Sequence, residues 1–270
     1  MWQPDGWGFR ARLGILVPHA AIGSESELTA MAPEGVSIHA TRVPLAVMRA
    51  GGLMDSTIAL EPVRAFVDPP LVDDAAELLA AAPLHSIGFA FTSSSYVRGA
   101  ADDEVLRQRL EKRTQGIPVA ICSVSAVLGL RALGVRRVAL VDPPWFSPEL
   151  TALGVDYFTG QGFTIAHAAS AGVPSEQRAI NPGQLFEWVR EHMPAEADAV
   201  YMGGNGLRAV GVIQALEEDL RIPVLTANQV LLWHLLRLAG TRAPVAGYGR
   251  LFDRDLPSND DGTLRLREAT

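Results

Sequence analysis

Short apolar runs alternate with longer amphipathic stretches along most of the chain. The runs RLGILVP (12–18), VSIHATRVP (36–44), HSIGFAF (85–91), IPVAI (117–121), RRVALV (136–141), FTIAHAAS (163–170), DAVYM (198–202) and IPVLT (222–226) predict eight strands. Each is brief, and most are closed by Gly, Pro, Asp or Ser. Their unbroken apolar character suits strands covered on both faces, as in a parallel sheet. Helices are predicted over 56–67, 72–82, 101–115, 124–133, 183–193, 206–219 and 228–239. Strand–helix alternation of this kind implies right-handed crossovers and a doubly wound α/β fold.

The pattern also echoes itself. IPVAICSVSAVLGLRALG (117–134) resembles IPVLTANQVLLWHLLRLAG (222–240), FAFTSSSYVRGAADDEVLRQRL (89–110) parallels AVYMGGNGLRAVGVIQALEEDL (199–220), and LGILVPHA (13–20) parallels VALVDPPWF (138–146). The order agrees in all three places although the spacing does not. Two pseudo-symmetric lobes are expected, 12–134 and 135–241, followed by a C-terminal segment, 242–270, that packs back on the first lobe and whose tail can be disordered. Ligands of open α/β sheets bind beyond the carboxyl ends of the strands. Facing lobes would therefore present Pro18–His19 and Thr92–Ser95 on one side of a cleft, and Asp142–Trp145 and Gly203–Gly206 on the other.

Composition narrows the chemistry. The 270 residues carry a net charge of −7, with 22 arginines and a single lysine, Lys112. An acidic chain with scattered arginines argues against nucleic-acid binding, which needs a clustered basic surface. No apolar stretch is long enough to cross a bilayer, and the start of the chain does not read as a signal peptide. A cytoplasmic protein is expected, with no nucleic-acid or membrane partner; a homodimer is compatible with the sequence. Cys122 is the sole cysteine, which rules out an internal disulfide and any multi-cysteine metal site. The histidines show no metal-ligand spacing, so no metal is expected.

The candidate site residues follow from the cleft. FTSSSYVRG (91–99) ends a strand and opens a helix. Free N–H groups there, with the hydroxyls of Thr92, Ser93, Ser94 and Ser95, form an anion site suited to a carboxylate; the plainer reading is one serine capping the helix. Gly203, Gly204, Asn205 and Gly206 occupy the same place in the second lobe, where glycines allow close backbone approach; a tight turn without a ligand is the alternative. His19 and Asp142 end equivalent strands and are the candidate acid–base groups, or else local caps. Cys122 lacks a histidine or acid nearby in sequence and reads as a buried thiol. Phe91, Trp145 and Tyr201 hint at a substrate with hydrophobic bulk.

LGLRALGVRRVALVDPP (128–144), VAGYGRLFD (245–253) and FTSSSYVRGA (91–100) resemble arylmalonate decarboxylases, and IPVLTANQVLLWHLLRLAG (222–240) is similar to both those enzymes and maleate isomerases. With the strand at 13–18, the resemblance spans most of residues 12–253. These groups belong with the aspartate/glutamate racemases. The resemblance implies a small carboxylate bound between two lobes, no cofactor, and lyase or isomerase chemistry through an enolate or enediolate, its oxygen held by Thr92, Ser93 and nearby amides. It also implies a cysteine in each lobe, or glycine in the first-lobe position of the decarboxylases. Those positions hold Phe91 and Gly204 here, and the tyrosine common after the second-lobe proline is replaced by Trp145. A proton would then have to come from His19, Asp142 or a bound water. A carboxylate-binding protein without catalysis is the alternative.

Overall fold

The computed structural model describes residues 5–257. The first half runs β1 (Ala11–Pro18), α1 (Gly23–Met31), β2 (Val36–Val43), a small hairpin of β3 (Met48–Arg49) and β4 (Leu53–Met54), α2 (Leu60–Ala65), α3 (Leu71–Ala80), β5 (Ser86–Phe89), α4 (Thr92–Arg98), α5 (Ala100–Arg113), β6 (Val119–Ile121) and α6 (Cys122–Ala132). The second half runs β7 (Arg137–Asp142), α7 (Pro148–Gly160), β8 (Thr164–Ser170), α8 (Pro182–His192), β9 (Ala199–Met202), α9 (Ile213–Leu220), β10 (Val224–Thr226) and α10 (Ala227–Leu238).

Two four-stranded sheets result, ordered β2-β1-β5-β6 and β10-β9-β7-β8. All pairings within them are parallel. Counting the strands of each sheet in chain order, both read second–first–third–fourth. The two halves therefore share one topology as well as a sequence echo. The central strands are buried on both faces: Leu13, Ile15, Leu16, Val138, Leu140, Val200 and Tyr201 have almost no exposed surface, which accounts for their unbroken apolar runs.

The echoed helices α6 and α10 lie against each other, and each reaches across to the other half's sheet. A Cβ on Gly88 of β5 would lie 3.0 Å from Leu235 of α10, and one on Gly129 of α6 would lie 3.2 Å from Leu225 of β10. Both glycines allow the crossing helix to approach the foreign sheet closely. Such reciprocal packing fixes how the two halves face each other, and hence how their loops meet.

The segment after α10 crosses both halves. Tyr248 Oη donates to Ala30 O of α1, Gln229 Nε2 donates to Tyr248 O, and Trp233 Nε1 donates to Arg254 O. The rest of the expected C-terminal tail, 258–270, lies outside the described residues. Among the described residues, no helix is long and apolar enough to cross a membrane.

Candidate active site

The carboxyl ends of β1, β5, β7 and β9 converge on a small cavity between the halves. Thr92 and Ser93 line it from the first half, and Gly204, Asn205 and Gly206 from the second. The two loops are tied to each other. Asn205 Oδ1 accepts from both Thr92 N (3.0 Å) and Thr92 Oγ1 (2.9 Å), while Gly204 N donates to Thr92 Oγ1 (3.3 Å). The start of α4 is thus capped by an asparagine from the opposite half and not by its own serines; Phe91, at the capping position, makes no side-chain cap.

This arrangement sorts the candidate residues. The amide of Asn205 is fully used, because its Nδ2 donates to Asn228 Oδ1 (2.9 Å) and to Cys122 Sγ (3.4 Å). Asn228 in turn donates to Glu27 Oε2 (2.7 Å), and Glu27 accepts from Ala209 N and Val210 N. Asn205 therefore fixes the loop and can meet a ligand only through its backbone. Ser94 and Ser95 are also committed, to Phe91 O (2.9 Å) and Asp103 Oδ1 (2.9 Å). Ser94 lines a different, polar depression beside Arg98 and Asp103. Ser93 stands apart: it lines the cavity and its hydroxyl has no hydrogen bond among the described residues. The N–H groups of Ser93 and Ser94, in the first turn of α4, likewise have no backbone acceptor.

Gly204 has a backbone reason to be glycine. Its φ is +77°, and a Cβ there would collide with Pro143 Cγ and lie 2.9 Å from Pro143 Cδ. The space a side chain would need is filled by the Pro143 ring. Gly203 does not line the cavity; it covers Asp142 and Tyr96.

Most of the remaining lining is apolar: Leu45, Met48, Met54 and Ile58 from the hairpin region, with Phe91, Trp145 and Phe146. Phe91 packs on Phe66 with ring centroids 4.3 Å apart, and Trp145 O accepts from Ile58 N (3.0 Å). Tyr201 does not join them. It is fully buried behind the loops, so its expected contribution to substrate bulk does not hold.

Neither acid–base candidate lines the cavity. His19 lies just beyond Pro18, which does, and its Nδ1 accepts from Leu45 N (3.1 Å). Asp142 is 1% exposed and sits beneath Gly203. Cys122 lies next to Thr92 and Asn205, but it is fully buried, and burial pushes its thiol up to about 11. No lining residue is an acid, a base or a thiol.

The residue that sequence reasoning missed is Gln177, between β8 and α8. It lines the cavity against Gly206, and its Nε2 comes within 4.0 Å of Met54 Sδ; its amide oxygen has no partner among the described residues. No motif marks it, since a long connection brings it there. Met48 and Met54 were missed for the same reason, being part of a hairpin with strands of two residues each.

Residues 13–252 match the arylmalonate decarboxylase family. The chain belongs to that family. Among curated relatives, it is 30% identical to the arylmalonate decarboxylase of Bordetella bronchiseptica over 167 residues, covering 60% of this chain and 68% of that one. It is 26% identical to the maleate isomerase of Geobacillus stearothermophilus over 257 residues, covering 89% and 96% of the two chains. Among solved structures, a variant of the maleate isomerase from Pseudomonas putida S16 with maleate superposes with a TM-score of 0.78 at 23% identity, covering 90% of this chain and 97% of that one. Arylmalonate decarboxylase itself gives 0.70 at 24% identity, covering 90% and 99%. These likenesses show that this member of the arylmalonate decarboxylase family shares their two-sheet fold.

Proposed function

We propose that this family member is a cofactor-independent lyase or isomerase acting on a small carboxylic acid through an enolate or enediolate. The carboxylate or developing oxyanion would be held by Ser93 Oγ and by the N–H groups of the first turn of α4, facing Gly204–Gly206. The observation that carries this reading is the uncommitted Ser93 hydroxyl on a cavity wall whose other polar side chains, Gln177 apart, are bonded to protein. Fixed donors of this kind stabilise charge as it develops, each by about 2.7–4 kcal/mol. The apolar wall of Met48, Met54, Trp145 and Phe146 favours a substrate with one hydrophobic substituent over a compact dicarboxylate. His19 does not line the cavity and its Nδ1 is taken by Leu45 N, so the proton would be exchanged with water reaching the cavity.

A specific observation favours the second reading, a carboxylate-binding protein on the same scaffold: the lining holds no titratable side chain. One experiment separates them. The protein is incubated in D₂O with phenylmalonate, phenylacetate and maleate, and deuterium at the α-carbon and any new product are followed by NMR. Exchange or carbon dioxide release supports the enzyme; saturable binding without either supports the binding protein; no binding at all contradicts both.

A further inference from the structure

Behind the two loops lies a buried acid without a counter-charge. Asp142 ends β7, and neither of its carboxyl oxygens completes a hydrogen bond among the described residues. A Cβ on Gly203 would lie 3.0 Å from Asp142 Oδ1 and 3.1 Å from Tyr96 Oη. The carboxyl therefore sits directly under the Gly203–Gly204 turn, whose second glycine lines the cavity. The groups around it come from three elements, Tyr96 of α4, Thr151 of α7 and Tyr201 of β9, and Cys122 of α6 acts on both of those tyrosines. Tyr157 and Asp103 lie farther along the same interior cluster, joined by a 2.8 Å hydrogen bond. Burial pushes the three tyrosines and Cys122 upward, so all four stay neutral at physiological pH. No arginine, lysine or histidine acts on Asp142, and none lines the cavity.

A carboxylate in the cavity and an ionised Asp142 would thus oppose each other across one glycine turn with no cation between them. For like charges within about 10 Å at an effective dielectric of about 20, such repulsion lowers affinity by roughly tenfold or more. We propose that Asp142 must carry its proton for the cavity to accept a carboxylate, so that the anion is taken up only while that proton is held. The proposal rests on the carboxylate reading of the cavity. Its acidity is in keeping: burial pushes Asp142 up to about 7, only partly offset by the hydroxyls of Thr151 and Tyr96. Linkage makes the effect reciprocal, so a bound anion should raise the carboxyl's midpoint further.

Phenylacetate and 3-phenylpropionate, both ionised from pH 6 upward, are titrated into the full chain at pH 6 and pH 9 by calorimetry. Wild-type affinity is expected to be at least about tenfold weaker at pH 9, with no such loss in Asp142→Asn. Asp103 is also pushed by burial to about 7, so Asp103→Asn is the control and should keep the wild-type dependence. A second measurement needs no variant: the ¹³C carboxyl shift of Asp142 is titrated with and without saturating phenylacetate, and its midpoint should rise on binding. Binding that is flat from pH 6 to 9, a dependence that survives in Asp142→Asn, or an unmoved carboxyl midpoint overturns the proposal while leaving the carboxylate reading intact. Failure of the wild type to bind either probe at any pH defeats that reading and this proposal with it.

Discussion

The two loops that meet at the cavity occupy equivalent places in equivalent halves, yet they work in opposite ways. The first-half loop, Thr92–Ser95, brings hydroxyls; three of the four are consumed by the protein and Ser93 remains free. The second-half loop, Gly203–Gly206, brings backbone and one asparagine, whose amide closes the joint between the loops. Two topologically equivalent corners meet face to face and differ in what they do: the first leaves unbonded donors on the cavity wall, and the second holds the first in place. At the second corner the Pro143 ring occupies the volume a side chain at position 204 would need.

The largest test of this asymmetry is Ser93→Ala. Turnover, or affinity if the protein only binds, should fall by about a hundredfold, with the thermal midpoint nearly unchanged, because the hydroxyl bonds to nothing among the described residues. Equal activity in the variant would place the free donors elsewhere. Next is Gly204→Cys, which asks whether the second corner can accept a thiol. Positive φ and the collision with Pro143 should cost about 2–4 kcal/mol in denaturant unfolding. No iodoacetamide-sensitive activity should appear. A variant as stable as the wild type and newly sensitive to alkylation would show that the turn has room for a side chain.

Asp142→Asn sharpens the comparison from below the second corner. The folded-state carboxyl titrates near 7 against 3.8 for a free one. The unfolded chain therefore ionises this group first, and the wild type loses stability as pH rises from about 4 to 7. Replacing the group should recover a few kcal/mol above pH 7, progressively less toward pH 4, and none below it; a gain independent of pH would mean that the carboxyl is not the source. The smallest effect is expected for Gln177→Leu, which removes an unpartnered amide from the cavity wall. Affinity for a probe bearing a polar substituent should drop about fivefold, the worth of one hydrogen bond, while affinity for phenylacetate changes little.

Much of the fold is legible in the sequence because the sheets are parallel and buried. Every one of the eight expected strands forms, within about three residues of its expected ends. Helix α7 is not legible: PELTALGVDYFTG holds two glycines, two threonines and a valine, all poor helix formers, and it is helical because it packs on α4, where Gly154 allows the Tyr96 ring to approach. Helix α1 is short, with little amphipathic pattern, and owes its place to Glu27, which reaches the second half at Ala209 and Val210. The helix expected at 206–219 starts only at Ile213, because those same contacts hold the chain before it in an irregular path.

The site was legible as two facing loops, but its internal wiring was not. Four serine and threonine hydroxyls look alike in sequence, and only their partners in space, Asn205, Phe91 and Asp103, reveal that Ser93 is the free one. Likewise nothing local to Asn205 announces that it caps a helix more than a hundred residues away.

The claim on which all of this turns is that one anion touches both loops at once. Backbone amides of ¹⁵N-labelled protein, followed by NMR during titration with phenylacetate at pH 6, test it most directly. The amides of Ser93 and Ser94 and those of Asn205 and Gly206 should shift together along a single saturation curve. Shifts confined to one loop, or saturation of the two loops at different concentrations, would contradict it.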